Sequence, residues 1–133
     1  MTNIDFKIYK TDDVWSRDGG PIYVHDKNEN LVIQDWGFNG WGNRFDYLNC
    51  NSVPAKIGLD QSKTVIDLNS TMTVEGGAVE IDGNGTMLLT KSAILNNNRN
   101  PGMSQSQAES IFTKYYGVTN FIWLDGVAGL EIT

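Results

Sequence analysis

The sequence predicts an α/β protein built from two ββαβ modules, and an internal repeat is the first observation behind this prediction. The segment Asp18–Val24 reappears 57 positions later as Glu75–Ile81. The same offset relates two further pairs of segments, Phe38-Asn39 with Leu95-Asn96 and Thr64–Leu68 with Phe121–Asp125. Three landmarks at one spacing indicate a true repeat. The chain is therefore divided into unit 1, about 18–74, and unit 2, about 75–131.

Each unit opens with a predicted β-hairpin, in which apolar and polar residues alternate around a polar turn. In unit 1 this pattern consists of the strand Ile22–Val24, the turn Asp26–Asn28 and the strand Leu31–Ile33. The corresponding segments of unit 2 are Val79–Ile81, Asp82–Gly85 and Met87–Leu89.

A helix is predicted after each hairpin, and a further strand completes each unit. In unit 2, Ser104 is a favourable N-cap with Gln107 three residues on, and Gly117 ends the helix. The apolar stripe of this helix consists of Ala108, Ile111, Phe112 and Tyr115. The helix of unit 1 is less marked, with Asn51 or Ser52 as its cap and Pro54 tolerable only in its first turn. Helices between the strands of each unit place the chain in the α/β class.

Composition and charge argue against several classes of partner. The 133 residues carry a net charge of -6, which disfavours nucleic acid and anionic membranes. No apolar run approaches the roughly 18 residues of a transmembrane helix, and the first residues lack the layout of a signal peptide. The single cysteine, Cys50, forms no internal disulfide, so a cytoplasmic location is expected. No group of His, Cys and carboxylates has metal-ligand spacing, and neither a metal nor another cofactor is expected.

The densest group of chemically capable residues is the segment Asp12–Pro21. Within it, Trp15, Arg17 and Asp18 precede a pair of glycines. A carboxylate beside an aromatic ring suits a planar cation, because the carboxylate accepts two parallel N–H bonds and the ring face attracts positive charge. The alternative is a tight turn in which Arg17 or backbone amides saturate Asp18 and Trp15 lies in the core. The residues alone leave both interpretations open.

Glu75 occupies the place of Asp18 in unit 2. Repeats arranged about an axis would bring Asp18 and Glu75 to one central site, where two carboxylates face one cationic group. The alternative is a solvated acid in a loop, and this choice also stays open.

The segment Asp35–Gly42 interleaves aromatic residues with glycines. Trp36 and Trp41, together with Arg17, are candidates for a pocket wall, and packing between the modules is the alternative. The loop Asn96–Pro101 is predicted to have a mainly structural role. Two further residues, His25 near a hairpin turn and Cys50 without a neighbouring histidine, are not predicted to be catalytic.

Four segments also resemble segments of a known enzyme family. They occur in the same order and at about the same spacing as in that family, along nearly the whole chain. They are Asp13–Pro21, Asp35–Gly42, Glu75–Gly77 and Leu95–Pro101. Together they resemble the agmatine deiminases and bacterial peptidylarginine deiminases, which belong to the guanidine-modifying enzymes. The resemblance implies the pentein fold, an α/β propeller of five ββαβ modules about a pseudo-fivefold axis, of which this chain carries two.

The resemblance also implies a chemistry and roles for three residues. In such enzymes a cysteine thiolate attacks the guanidinium carbon, ammonia leaves, and water releases a ureido product. Asp18 is then expected to bind guanidinium nitrogens, Trp15 to form a wall of the substrate site, and Glu75 to lie at its centre. The family's general acid/base histidine, in an Asp-x-His-x-Asp segment, is expected just beyond Glu131–Thr133 and its nucleophilic cysteine further on. No catalytic residue is therefore expected within this chain.

The chain as a whole, 1–133, is predicted to be a partial deiminase domain that is inactive by itself. Its parent is expected to act on a small guanidine, with agmatine favoured over peptidyl-arginine. A non-catalytic guanidinium-binding or assembly module, or an inactive truncated product, is the alternative. Two modules alone expose apolar faces and sheet edges, so self-association or pairing with further modules of the parent is expected.

Overall fold

The computed structural model describes residues 3–127, which contain two three-stranded sheets of the same topology. In each sheet the first two strands are antiparallel, and the third runs parallel to the second. The first sheet consists of β1 (Ile22–His25), β2 (Leu31–Gly37) and β3 (Val65–Thr73), and the second of β4 (Glu80–Ile81), β5 (Thr86–Thr90) and β6 (Asn120–Leu124).

One helix crosses over between the parallel strands of each sheet. Helix α1, Val53–Asp60, links β2 to β3, and helix α2, Gln105–Tyr116, links β5 to β6. The predicted α/β class and the two ββαβ modules are therefore confirmed. The predicted end of unit 2 at residue 131 lies outside the described residues.

The helix ends follow the sequence signals. Ser104 and Gln107 form a reciprocal capping box at the start of α2, and Gly117 ends that helix in the left-handed conformation. At the start of α1, Ser52 is the N-cap residue, but its hydroxyl donates to the Asn49 carbonyl oxygen instead of capping the helix. Pro54 lies in the first turn, where its missing N–H leaves no helical hydrogen bond unmade.

The two hairpins turn by the same local mechanism. Asp26 accepts hydrogen bonds from the backbone amides of Asn28 and Asn30 through one carboxylate oxygen. Asp82 accepts from the amides of Asn84 and Thr86 in the same way. An aspartate that bonds the backbone two residues on favours a turn.

Several short elements lie outside the predicted pattern. Strand β3 runs to Thr73, beyond the predicted end at Leu68, because Gly37 pairs with Thr73 across an irregularity that follows Trp36. Strand β4 is shorter than predicted, because a 3-10 turn at Gly76–Ala78 precedes it. Single helical turns occupy Ser16–Gly19, Leu48–Asn51 and Lys91–Ile94, and a left-handed turn occupies Gly40–Asn43. Among residues 3–127 no helix is both long and apolar enough to span a membrane.

The main hydrophobic core joins the two modules, and Trp36 lies at the junction. Its ring stacks on Tyr116 of α2 at 5.3 Å between centroids, and it also contacts Phe112 and Tyr115. The Trp36 indole N–H donates to Gln34, whose own amide donates to the Tyr115 carbonyl oxygen. One face of the first sheet is therefore covered by the helix of the second module. Trp36 was a candidate for a pocket wall, with packing between the modules as the alternative. The structure places its side chain in the packing between the modules.

Replacement of Trp36 by alanine tests this junction. Trp36→Ala is expected to lower the free energy of unfolding by about 3–5 kcal/mol, because it removes a large buried side chain and leaves a cavity. Chemical denaturation followed by circular dichroism measures the change. Trp15→Ala is the matched control, since Trp15 is 64% exposed and Trp36 only 5%. An equal effect of the two substitutions would contradict the assignment of Trp36 to the core.

Candidate functional site

Asp18 lies where the first loops of the two modules meet. It belongs to the single helical turn Ser16–Gly19 and is buried. One of its carboxylate oxygens accepts a hydrogen bond from the backbone amide of Gly77 at 3.0 Å. The other accepts from the indole N–H of Trp41 at 3.2 Å. Asp18 thus joins the acidic loop of module 1 to the equivalent loop of module 2.

Glycine at position 76 permits this close contact between the loops. A Cβ atom placed on Gly76 would lie 2.2 Å from the backbone carbonyl oxygen of Arg17, which no side chain can tolerate without movement of the backbone. The Glu-Gly-Gly segment of module 2 therefore lies directly against the Arg17-Asp18 backbone of module 1. This contact also brings the amide of Gly77 within reach of Asp18.

Trp41 is directed to Asp18 by an unusual turn. The four residues Gly40–Asn43 all have positive φ angles, between 56° and 84°. Glycine and asparagine tolerate this conformation, whereas tryptophan is strained there. Asn39 stabilises the turn by accepting a hydrogen bond from the amide of Gly42. Strained backbone of this kind is concentrated at functional sites in proteins.

Trp41 is held on both sides by aromatic rings. Its ring packs edge-to-face on Phe38 at 5.0 Å and on Phe45 at 5.7 Å between centroids. The side chain is almost completely buried, so its indole N–H has a fixed direction. Trp41 therefore lies beside Asp18, and it also has the packing role that the sequence left open.

Glu75 forms a buried ion pair with Arg99. The Arg99 Nε atom lies 2.6 Å from Glu75 Oε1, and neither side chain is exposed by more than 1%. The second carboxylate oxygen, Oε2, is buried and has no hydrogen-bond partner among the described residues. Because Glu75 is completely buried, it is not the solvated loop acid that the sequence left as an alternative.

Arg99 is held in place by the loop that carries it. The Arg99 amide donates to the Asn96 carbonyl oxygen, and Nη1 of Arg99 contacts Oδ1 of Asn98 at 3.3 Å. The side chain of the adjacent Asn100 is buried and makes three hydrogen bonds, two with the backbone of Thr73 and one with the carbonyl oxygen of Ile94. The loop Asn96–Pro101 therefore fixes Arg99 rigidly against Glu75.

Burial sets the electrostatics of both acids. Burial raises the pKa of Asp18 above its ordinary value, and the N–H groups of Gly77 and Trp41 oppose that shift. Burial also raises the pKa of Glu75, whereas its hydrogen bond and ion pair with Arg99 lower it. The negative charge of Asp18 raises the pKa of Glu75 further. A cation near the two acids would oppose these shifts.

Trp15 and Arg17 lie at the edge of this group. Trp15 is largely exposed and lines a cavity of about 450 Å³ whose described walls do not include Asp18 or Glu75. Other residues of that cavity wall are Lys7, Tyr9, Asp13, Cys50 and Ile57. The charge of Arg17 lowers the pKa of Asp18, opposing the effect of burial. The structure thus brings the loops of Asp18, Glu75 and Trp41 together, while the Trp15 ring lines this separate cavity.

The sequence did not predict the role of Arg99. A signal was nevertheless present, because a buried acid requires a counter-charge and Arg99 is the one arginine of unit 2. Neither His25 nor Cys50 makes a described hydrogen bond to Asp18 or Glu75. His25 is at the hairpin turn, with Nδ1 3.0 Å from the Glu29 carbonyl oxygen, and Cys50 is buried in the cluster with Phe38 and Trp41. In the described part of the chain, no group of three or more His, Cys, Asp or Glu residues could hold a metal ion.

The chain is similar in sequence to known deiminases. The profile of the Porphyromonas-type peptidyl-arginine deiminase family matches residues 1–133. The chain is 35% identical over 127 residues to an agmatine deiminase of Pseudomonas aeruginosa strain LESB58. This match covers 92% of this chain and 34% of the relative. It is 36% identical over 123 residues to an agmatine deiminase of Stutzerimonas stutzeri, covering 86% of this chain and 32% of the relative.

Solved structures show the same similarity. The agmatine deiminase of Enterococcus faecalis superposes with a TM-score of 0.81 at 30% identity, over 88% of this chain and 33% of that one. A cysteine-to-serine variant of the C. jejuni agmatine deiminase with substrate bound gives a TM-score of 0.81 at 31% identity. The match covers 93% of this chain and 37% of that one. The chain thus spans about a third of the length of the proteins it matches.

The left-handed turn that carries Trp41 gives a stability prediction. A Cβ atom on Gly40 would lie 2.3 Å from the carbonyl oxygen of Phe45, in addition to the strain of its positive φ. Gly40→Ala is therefore expected to lower the free energy of unfolding by about 3 kcal/mol. Gly83→Ala is the matched control, since Gly83 has a similar φ but no atom within 4 Å of its Cβ position, and about 1 kcal/mol is expected there. Equal losses in urea denaturation would contradict a steric requirement at Gly40.

Proposed function

The chain belongs to the Porphyromonas-type peptidyl-arginine deiminase family, and we propose that it supplies the carboxylate part of a guanidinium-binding site in an agmatine deiminase-like hydrolase. The observation that carries this proposal is the pair of buried carboxylates, Asp18 and Glu75, brought together by the contact of two glycine-containing loops. The similarity to agmatine deiminases, one of them solved with substrate bound, supports agmatine as the ligand to test first.

The two acids offer complementary hydrogen-bonding capacity to a guanidinium. A carboxylate has about four acceptor positions. Asp18 uses one position on each of its oxygens for Gly77 and Trp41, and Glu75 uses Oε1 for Arg99. The remaining positions suit the planar N–H groups of a guanidinium. A bound cation would also reduce the repulsion between the two negative charges.

The proposed reaction of the parent enzyme is hydrolysis of the guanidinium to a ureido group with release of ammonia. In this proposal the chain binds and polarises the guanidinium, and residues elsewhere in the parent supply the nucleophile and the general acid/base. This division is supported by the positions of His25 and Cys50, since neither contacts the Asp18–Glu75 group through a described hydrogen bond. Peptidyl-arginine is the alternative substrate. We also propose a cytoplasmic location, because Cys50 has no partner for a disulfide within these 133 residues.

Calorimetric titration of the purified chain with agmatine tests the binding proposal. Asp18→Asn is expected to weaken binding at least tenfold, because a hydrogen bond to a charged group contributes about 1.5–3 kcal/mol. Asp5→Asn removes the same charge at a residue that is 82% exposed, and it is expected to leave the affinity unchanged. Absence of saturable heat from the unmodified chain, or equal affinities of the two variants, would contradict the proposal.

A second proposal is that the chain associates through the outer face of its second sheet. Leu88, Ile122 and Leu124 lie on one face of β5 and β6 and are 40–51% exposed. The face of the first sheet that carries Gln34 and Trp36 is covered by helix α2 instead. Exposed apolar patches of this kind mark interaction surfaces. Self-association of the isolated chain, or pairing with further modules of the parent, would cover it.

Sedimentation velocity over a range of concentrations tests the association. Ile122→Lys is expected to shift the chain toward the monomer, because it places a charge in the centre of the apolar face. Ile8→Lys is the control, since Ile8 is 97% exposed and belongs to no strand of this sheet. A chain that is monomeric at all concentrations, or variants with equal effects, would contradict association through this face.

A further inference from the structure

Two Asn-Gly dipeptides occur in the chain, and they lie in different surroundings. They are Asn39-Gly40, at the start of the left-handed turn, and Asn84-Gly85, in the hairpin turn of module 2. An asparagine loses its side-chain amide most readily before glycine, because glycine has no side chain to shield its backbone nitrogen. The chain therefore offers a comparison between two sites that have the same covalent chemistry and differ in their tertiary contacts.

The side chain of Asn84 is free to move in the turn between β4 and β5. It is exposed, and only the backbone amide of Asn84 is fixed, by a hydrogen bond of 2.7 Å to Asp82 Oδ1. Among residues 3–127, neither the Asn84 side chain nor the Gly85 N–H makes a described hydrogen bond. The side-chain carbonyl carbon of Asn84 can therefore turn toward the Gly85 nitrogen without breaking a described hydrogen bond.

The corresponding turn of module 1 lacks this combination. Its aspartate, Asp26, bonds the backbone in the same way as Asp82. Asn28 is also exposed there, but Glu29 follows it in place of a glycine. The Glu29 N–H donates to the Asp26 carbonyl oxygen at 3.0 Å. The backbone nitrogen after Asn28 is thus both shielded by a side chain and engaged in a hydrogen bond.

Asn39 is held at both ends of its side-chain amide. Its Oδ1 atom accepts from the Gly42 amide at 2.9 Å, and its Nδ2 atom donates to the Asn98 carbonyl oxygen at 2.8 Å. The neighbouring Gly40 is buried, and its Cβ position would lie 2.3 Å from the Phe45 carbonyl oxygen. Both hydrogen bonds of the Asn39 side chain must break, and a packed turn must move, before its carbonyl carbon can meet the Gly40 nitrogen.

We propose that Asn84 is a site of spontaneous deamidation, at which the Gly85 nitrogen attacks the side-chain carbonyl carbon of Asn84. A base in solution accepts the Gly85 N–H proton as the new C–N bond forms, and the side-chain nitrogen of Asn84 leaves as ammonia. The resulting succinimide ring takes up one water molecule and opens at either of its carbonyl groups, to aspartate or to isoaspartate. Nothing is oxidised or reduced, and the inference is independent of the proposed function.

The modification acts on the contact between the turn and the start of β6. The Gly85 carbonyl oxygen accepts hydrogen bonds from the amides of Thr119 and Asn120, at 2.9 and 3.0 Å. Isoaspartate at position 84 lengthens the backbone before Gly85 by one carbon atom, and it also adds a negative charge beside Asp82. Displacement of Gly85 weakens both hydrogen bonds, so the start of β6 is expected to open more often after the modification.

Incubation of the folded chain at physiological pH and temperature, followed by peptide mapping with mass spectrometry, tests the proposal. Asn39 is expected to be converted to acid at least about tenfold more slowly than Asn84, because two hydrogen bonds must first break. Isoaspartate is expected among the products at Asn84, since direct hydrolysis of the amide gives aspartate alone. In urea the two rates are expected to become equal, because both dipeptides are then exposed.

Three outcomes would overturn the proposal. They are equal rates at Asn84 and Asn39 in the folded chain, aspartate as the sole product at Asn84, and a difference between the two sites that persists in urea. The last result would assign the difference to the local sequence instead of the fold.

Hydrogen exchange measures the effect on β6. The amides of Thr119 and Asn120 are expected to lose protection in the incubated chain, compared with the fresh chain. The matched control is Asn84→Gln after the same incubation, because glutamine keeps the amide and forms the corresponding ring far more slowly. Equal protection of these amides in the incubated chain and in the incubated variant would overturn the inferred effect on β6.

Discussion

The hydrogen bond from the Gly77 amide to Asp18 joins the two modules at the point where their acidic loops meet. It requires glycine at position 76, because the carbonyl oxygen of Arg17 occupies the space where a side chain would begin. The same contact brings Asp18 and Glu75 within electrostatic reach of each other. Together with the hydrophobic core around Trp36, it holds the acidic loops of the two modules against each other.

Burial of two carboxylates at one place opposes folding, and the structure offsets this with fixed donors. Trp41 and Gly77 donate to Asp18, and Arg99 pairs with Glu75. Burial raises the pKa of both acids, and these donors oppose that shift. In the proposed function, a cationic ligand would oppose the effect of burial further. The strained turn Gly40–Asn43, which directs Trp41, is consistent with that function.

Much of the fold could be predicted from the repeat and from local signals. The alternation in the hairpins, the capping box of Ser104 and Gln107, and the stop at Gly117 each have a local physical cause, and each is found in the structure. The extension of β3 to Thr73 could not be predicted, because it depends on pairing with Gly37 across an irregularity between distant segments.

The site was only partly predictable for the same reason. The sequence indicated Asp18, Trp41 and Glu75, because each is a chemically capable residue beside glycines. It did not indicate Arg99, the partner of Glu75, because the asparagine-rich loop around Arg99 was predicted to have a mainly structural role. Trp36 and Trp41 lie in the same glycine-containing segment and could not be distinguished from the sequence. Tertiary contacts place Trp36 in the core between the modules and Trp41 beside Asp18. Trp15 was predicted because an aromatic ring near the Asp18 carboxylate suits a planar cation, whereas it lines a separate cavity.

The most direct test of the central claim is a nitrogen-15 NMR titration of the chain with agmatine, because its four tryptophan indoles report from different places. A guanidinium bound beside Asp18 is expected to cause saturable shifts of the Gly77 amide and the Trp41 indole, which both donate to Asp18. The indoles of Trp36 and Trp123, which donate to Gln34 and Glu109, are predicted to stay unchanged. Shifts at Trp36 or Trp123 without shifts at Gly77 and Trp41 would contradict a guanidinium site between Asp18 and Glu75.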